Sequence, residues 1–374
     1  MRSRRPELGA GFFFHGLGTT LAPGCGVQND QATWETERAA LLGRRISELG
    51  LSIRGTRVER LVAQLYEELG AKGLAFRPPV YLSDQWGCPD GTPLIGVPFY
   101  LVDERLERIE AEMSASIEDD AEAMRYMRHE AGHAANYAFA FYDRPEWRRT
   151  FGVFSKPYRE RYRADPFSRA YVRHILGWYA QKHPDEDFAE TFAVWMTPGL
   201  DWRSEYRGWA ALAKLEYVER MMAEVAHEAP AIAPPMADDL PVEAMHYTVA
   251  EHYADSEGRM PIEDDRQFDH DLRRIFVVAT EAPASETAQV FIRRHYREIV
   301  SRISYWTSES PGVVRSFVDH LMQRSEALGL KAGGLEASTL IELTAFGTAV
   351  VINHRYARVP GRVSRGDRAP ERST

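Results

Sequence analysis

His129-Glu130-Ala131-Gly132-His133 sets two imidazoles four residues apart. On a helix that spacing puts both on one face, a turn apart, where they can share one metal ion. Glu130, between them, projects beside that metal and can take a proton from a water the metal activates. The chemistry implied is hydrolysis. It requires that this segment be a helix, that a third protein ligand exist, and that one coordination position stay open for water.

The flanking residues supply the helix. Ser116-Ile117-Glu118-Asp119 reads as a capping box, and Glu118, Asp119, Asp120 and Glu122 suit the positive end of a helix. Nothing but Gly132 interrupts the run to Phe141, and Asp143-Arg144-Pro145 stops it. Met124, Met127, Ala131, Ala134, Ala135 and Ala138 form a small-residue stripe for burial. A mid-helix glycine costs about 1 kcal/mol relative to alanine, so Gly132 either admits another backbone close to this helix or simply serves tight packing, two readings of equal weight.

A third ligand is next. The position six residues after His133 is Phe139 and the position three residues after is Asn136, which excludes two common solutions and leaves a Glu on a second helix. The stretch from His183 to Ala193 offers one, opened by Pro184 and closed by Thr197-Pro198-Gly199. Phe188, Phe192, Trp195 and Met196 make its core stripe, while Glu186 and Glu190 stack one turn apart on another face. Like charges at that spacing repel, unless a cation lies beside them.

Together these motifs resemble the gluzincin metallopeptidases. Glu186-Asp187-Phe188-Ala189-Glu190-Thr191-Phe192 is most similar to lethal-factor-type proteases and to a bacterial zinc-binding metallopeptidase group. Residues 125–225 carry the likeness, including Arg128-His129-Glu130 and Lys214-Leu215-Glu216-Tyr217-Val218. It implies a zincin-like lobe holding Zn2+ on His129, His133 and Glu186, with Glu190 hydrogen-bonded to a ligand histidine. Tyr179, seven residues before Glu186, matches a tyrosine of the lethal-factor type that can donate to the oxyanion. The 53-residue separation of His133 and Glu186 (186 − 133) leaves Glu190, Asp185 and Asp187 open as alternative ligands. Glu130 is then general base and acid, and a peptide or protein is the substrate.

Other histidines fit poorly as ligands. His183 suits helix capping, His174 falls on a helix expected to lead to Tyr179, and His246 and His252 are six apart, a spacing without helical logic. The chain has 374 residues, net charge -9 and no uninterrupted apolar run of the ~18–20 residues that span a membrane. With a pI near 5.8 and mean hydropathy of -0.41, the composition argues for a soluble protein and against nucleic acid as the main partner. Cys25 and Cys88 build neither a metal knuckle nor a disulfide framework and fit a reducing compartment. Arg2, Arg4, Arg5 and Leu21-Ala22-Pro23-Gly24-Cys25 resemble an export signal, but Glu7, His15 and Pro23 degrade it and favour the cytoplasm.

The expected architecture is α+β and mostly α-helical: a zincin-like lobe with a small antiparallel sheet and the metal helix, a helical lobe, and a helical C-terminal extension. Residues 1–30 read as irregular, 31–228 as the metallopeptidase domain, 229–241 as a Pro-rich linker, 242–360 as a helical domain and 361–374 as a disordered tail. Helices are expected over 31–49, 57–69, 103–113, 209–228, 271–280, 285–306, 312–327 and 336–353. Residues 79–82 and 94–102 read as strands around a turn at Cys88-Pro89-Asp90-Gly91. Pro98 points to a sheet edge, and 94–101 is expected to pair with extended substrate. Arg293, Arg294, Arg297 and Arg302 suggest a solvated helix face, and no partner for residues 242–360 follows from their types. A zinc amidohydrolase acting on a small amide would use the same ligands; a catalytically silent binding module would have no use for Glu130.

Overall fold

The computed structural model describes residues 26–113, 117–158, 162, 164–232, 241–254, 260–262, 264–278, 286–307 and 309–357. The N-terminal segment to residue 25, the capping-box residue Ser116, linker residues 233–240 and the C-terminal tail lie outside them. The chain divides into two compact units, residues 1–41 and 42–374. The described part of the first is helix α1, Gly26–Leu42, which ends one residue into the second; there a short 3-10 turn at Ile46–Glu48 stands where helix was expected to continue to residue 49.

The second unit is mostly helical with two small sheets, an α+β arrangement. It runs α2 (Arg57–Ala71), β1 (Val80–Ser83), β2 (Ile95–Pro98), α3 (Glu104–Met113), α4 (Asp120–Ala138), α5 (Pro145–Thr150), α6 (Pro184–Met196), α7 (Trp202–Glu205) and α8 (Ala211–Glu224). Beyond these come α9 (Val249–Ala254), α10 (Asp269–Ile275), β3 (Val277–Val278), α11 (Ala288–Arg294), α12 (Tyr296–Thr307), α13 (Pro311–Ala327), β4 (Leu330–Lys331) and α14 (Glu336–Ala357). No described helix is long and apolar enough to cross a membrane.

Helices α4 and α6 form the most extensive helix pair. The α4 N-terminus is capped by Asp119, whose Oδ1 accepts the Glu122 N–H at 2.8 Å. Its other end closes at Ala140, a non-glycine residue in the left-handed region with φ of 49°. Arg128, just before the first histidine, donates from Nε and Nη2 to the Glu68 carboxylate at 2.7 Å each, pinning α4 to α2. Every residue of α6 is buried, more than its apolar stripe predicts. Gly132 is where the pair meets. A Cβ there would lie 2.8 Å from Ala189 Cα and 2.9 Å from Ala189 O, so the close backbone approach, one of the two readings of this glycine, is present.

The sheet departs from expectation. β1 and β2 run parallel, with Val80 opposite Ile95 and Ser83 opposite Pro98, not antiparallel. The turn at Pro89–Thr92 does form, closed by the Thr92 N–H to Pro89 O at 2.9 Å, but it joins β2 to Gly87 instead of to β1. Gly87 bridges Gly96 antiparallel, so the chain reverses twice between β1 and β2 and restores the first direction. At Gly96, β2 is therefore paired on both sides, and all four of its residues are buried. It is not the open edge expected for residues 94–101, and 99–102 form a 3-10 turn instead of strand. The one antiparallel sheet among the described residues is β3–β4, two residues each.

Residues 241–254 return to the front of the unit: the Ile46 and Ser47 amides donate to Tyr247 O and Met245 O at 3.1 and 3.0 Å. A second apolar cluster runs from Met260 to Val351 and joins α10 to α14 around Leu272, Phe291, Ile303 and Phe317. The long helix expected over 285–306 is broken, as α11 and α12.

Candidate metal centre

His129, His133 and Glu186 converge, all buried. His129 Nε2 lies 3.0 Å and His133 Nε2 3.2 Å from the same Glu186 Oε2, and the two Nε2 atoms are 3.1 Å apart. Ligands of a tetrahedral ion with bonds of about 2.0–2.1 Å would be separated by about 3.3 Å. Behind the histidines, Glu190 Oε1 is 2.8 Å from His129 Nδ1 and Asp185 Oδ2 is 2.9 Å from His133 Nδ1. Carboxylates at both Nδ1 atoms place the protons there and turn the Nε2 lone pairs toward Glu186. Three electron-rich atoms in mutual contact in a buried place call for positive charge among them, supplied either by protons on the imidazoles or by a metal ion. This donor set could hold a metal ion.

The acids behind the histidines are held in turn. Asp185 accepts from Asn136 Nδ2 at 2.7 Å and Tyr137 O–H at 2.6 Å, and Glu190 Oε2 accepts the Ile175 N–H at 2.8 Å. Tyr158 O–H donates to Glu186 Oε1. Asp187, the last acid of the group, faces away and pairs with Lys214 Nζ at 2.6 Å. Four carboxylates in the first half of a buried helix are tolerable because each has a cationic or imidazole partner.

Electrostatics follow this geometry. Burial alone would lower His129, yet the hydrogen bonds that Glu186 and Glu190 accept from the charged ring hold it up, to about 9. Burial opposes charge on His133 too, and Asp185 and Glu186 overcome it and raise it well above the ordinary value. Glu186 is held well below the usual carboxylate range: burial would raise it, and the two imidazoles prevail. Glu130 is shifted the other way, upward, chiefly by burial. Tyr179 is pushed far up by burial and by the Glu186 charge, so it keeps its proton.

A cleft of about 730 Å3 opens over the group, lined by His129, Glu130, His133, Tyr179 and Glu186. Tyr179 enters it directly after Gly177 and Trp178, both left-handed at φ of 75° and 56°. For tryptophan that conformation costs about 1–2 kcal/mol. The helix expected to carry His174 up to Tyr179 does not form; residues 171–178 are irregular and a 3-10 turn begins at Tyr179. The Tyr179 hydroxyl is 3.2 Å from that of Tyr158, and Lys182 Nζ approaches it at 3.5 Å.

All six residues singled out in the sequence therefore meet here. Glu190, Asp185 and Asp187 take other positions, which leaves Glu186 alone at the Nε2 side. His183 caps α6 through Nδ1, accepting the Asp185 N–H at 3.2 Å. His174 Nε2 bonds Arg125 O at 3.0 Å, and His252 packs on Phe99. Sequence reasoning missed Tyr158, which sits in an irregular loop without any periodic signal. It also missed Asn136 and Tyr137 as partners of Asp185, though their spacing of three and four from His133 could have suggested them. Compared with protein-family profiles, with curated proteins and with solved structures, the chain matches none of them.

Proposed function

We propose that this protein is a zinc-dependent metallopeptidase. The observation that carries the reading is the meeting of two imidazole Nε2 atoms and Glu186 Oε2 within 3.2 Å, on the wall of a cleft that Glu130 also lines. Two nitrogens and one carboxylate oxygen suit zinc, and a three-residue donor set facing a cleft suits catalysis better than a closed structural site. Bound there by His129, His133 and Glu186, zinc would polarise a substrate carbonyl and acidify a water.

The remaining work falls to side chains of the chain itself. Glu130 takes the proton from the attacking water and returns it to the leaving nitrogen. Tyr179, protonated and at the cleft, donates to the oxyanion as it develops; a donor of this kind contributes about 3–4 kcal/mol in the transition state. Tyr158 holds the Glu186 carboxylate so that Oε2 faces the imidazoles.

Purified protein should contain close to one zinc per chain by elemental analysis and should hydrolyse members of a mixed peptide library, with activity abolished by a chelator and restored by zinc. Glu130→Gln should keep the metal and lose activity by about 100-fold or more. A fully active Gln variant, or hydrolysis indifferent to chelation, overturns the reading.

A further inference from the structure

A second pocket opens from the same centre. It has a volume of about 360 Å3 and shares His129, Glu130, Tyr179 and Trp86 with the larger cleft. Its other walls are Tyr126, Ile175, Leu176, Ser304 and Tyr305. The large cleft has polar walls, with Gln85, Asp90, Lys156 and Lys182 among them, whereas this one is aromatic and aliphatic.

Its walls are fixed. Trp86 stacks on Tyr126 with centroids 5.7 Å apart, and its indole N–H donates to Glu118 Oε1 at 3.0 Å. Ile175 is held by its amide on Glu190, the same acid that orients His129. Ser304 and Tyr305 come from α12, whose Ile299, Val300 and Ile303 are buried in the second apolar cluster. The C-terminal helices thus build a wall of the pocket beside the metal ligands.

We propose that this pocket receives a large apolar or aromatic side chain of the substrate, next to the bond that is cleaved, and that Tyr305 and Leu176 set this specificity. The inference rests on the peptidase reading for its substrate class. A preformed pocket lined largely by aromatic rings takes much of such a side chain out of water, and even partial burial of that apolar surface favours it about tenfold over alanine. An acidic side chain would lose its hydration beside the buried Glu130 carboxylate, which repels it.

The test uses the full-length, zinc-loaded Glu130→Gln protein, so that binding is read without turnover. Capped pentapeptides of glycine that differ only in a central Phe, Leu, Ala or Asp are titrated by calorimetry. Phe and Leu peptides should bind at least tenfold tighter than Ala, with Asp weakest. Adding Leu176→Trp, which fills the pocket, should bring the Phe-to-Ala ratio to about one. Tyr305→Ala, a truncation of a partly buried side chain, should reduce the ratio several-fold, and zinc content verifies that both variants remain folded. Equal binding of Phe and Ala, or a ratio unmoved by both substitutions, overturns the proposal. If the preference is present while wild-type protein cleaves none of the peptides, the pocket stands and the peptidase reading falls.

Discussion

The carboxylates behind the two histidines decide how well the site can hold a cation. Glu190 on His129 and Asp185 on His133 fix each ring and make its Nε2 a stronger donor. Removing such a partner typically lowers metal affinity 10- to 100-fold. Asp185→Ala and Glu190→Ala should each do so in competition with a chromophoric chelator, and Asp185→Ala also strips Asn136 and Tyr137 of their acceptor. An unchanged affinity in both would show that the acids serve packing alone. The sequence favoured Glu186 as the ligand but left Asp185, Asp187 and Glu190 open. Three consecutive helical residues point about 100° apart, and only the placement of α4 decides which of them meets the imidazoles. The motif itself was legible because its spacing is local; the choice of acid was not, because it depends on a contact across more than fifty residues.

At the scale of elements, the site exists because α4 and α6 can approach at Gly132. Gly132→Ala gains about 1 kcal/mol of helix propensity but places a Cβ 2.8 Å from the Ala189 backbone, which cannot yield as a side-chain end could. Such overpacking costs typically about 1–3 kcal/mol, so net stability should fall in chemical denaturation. Metal affinity should fall with it, since Ala189 lies three residues from Glu186. A variant as stable and as tight-binding as the parent would mean that the helices tolerate separation. Ala140→Gly tests the other end of α4: glycine adopts the left-handed conformation found there without penalty and should stabilise by about 1 kcal/mol. Caps, stripes and breakers made most helix positions readable. The direction of the β1–β2 pair was hidden, because turn residues announce a reversal without saying which strands it joins, and here Gly87 takes the partner's place. The irregular path at 171–178 was hidden too, because it includes Trp178 in a left-handed conformation that its residue type disfavours.

Across the whole molecule, two apolar regions serve different ends. The region around α6 buries four carboxylates whose neutralisation depends on His129, His133 and Lys214. The cluster from Met260 to Val351 is apolar, and its helix α13 buries Val314, Phe317, Val318 and Leu321 without a residue of the candidate site. A metal that binds only the folded site stabilises it by about 2.7 kcal/mol at a hundred times its dissociation constant. Removing it leaves three electron-rich groups facing one another between α4 and α6, while α13 keeps its apolar contacts. Chelation should therefore speed amide hydrogen exchange in α4 and α6 much more than in α13, read peptide by peptide by mass spectrometry. Equal loss of protection in α13 would show that the metal supports the entire unit and that the C-terminal cluster has little stability of its own. Retained protection everywhere would show that the buried acids are neutralised by protons alone, and the reading of the site as a metal centre would not survive it.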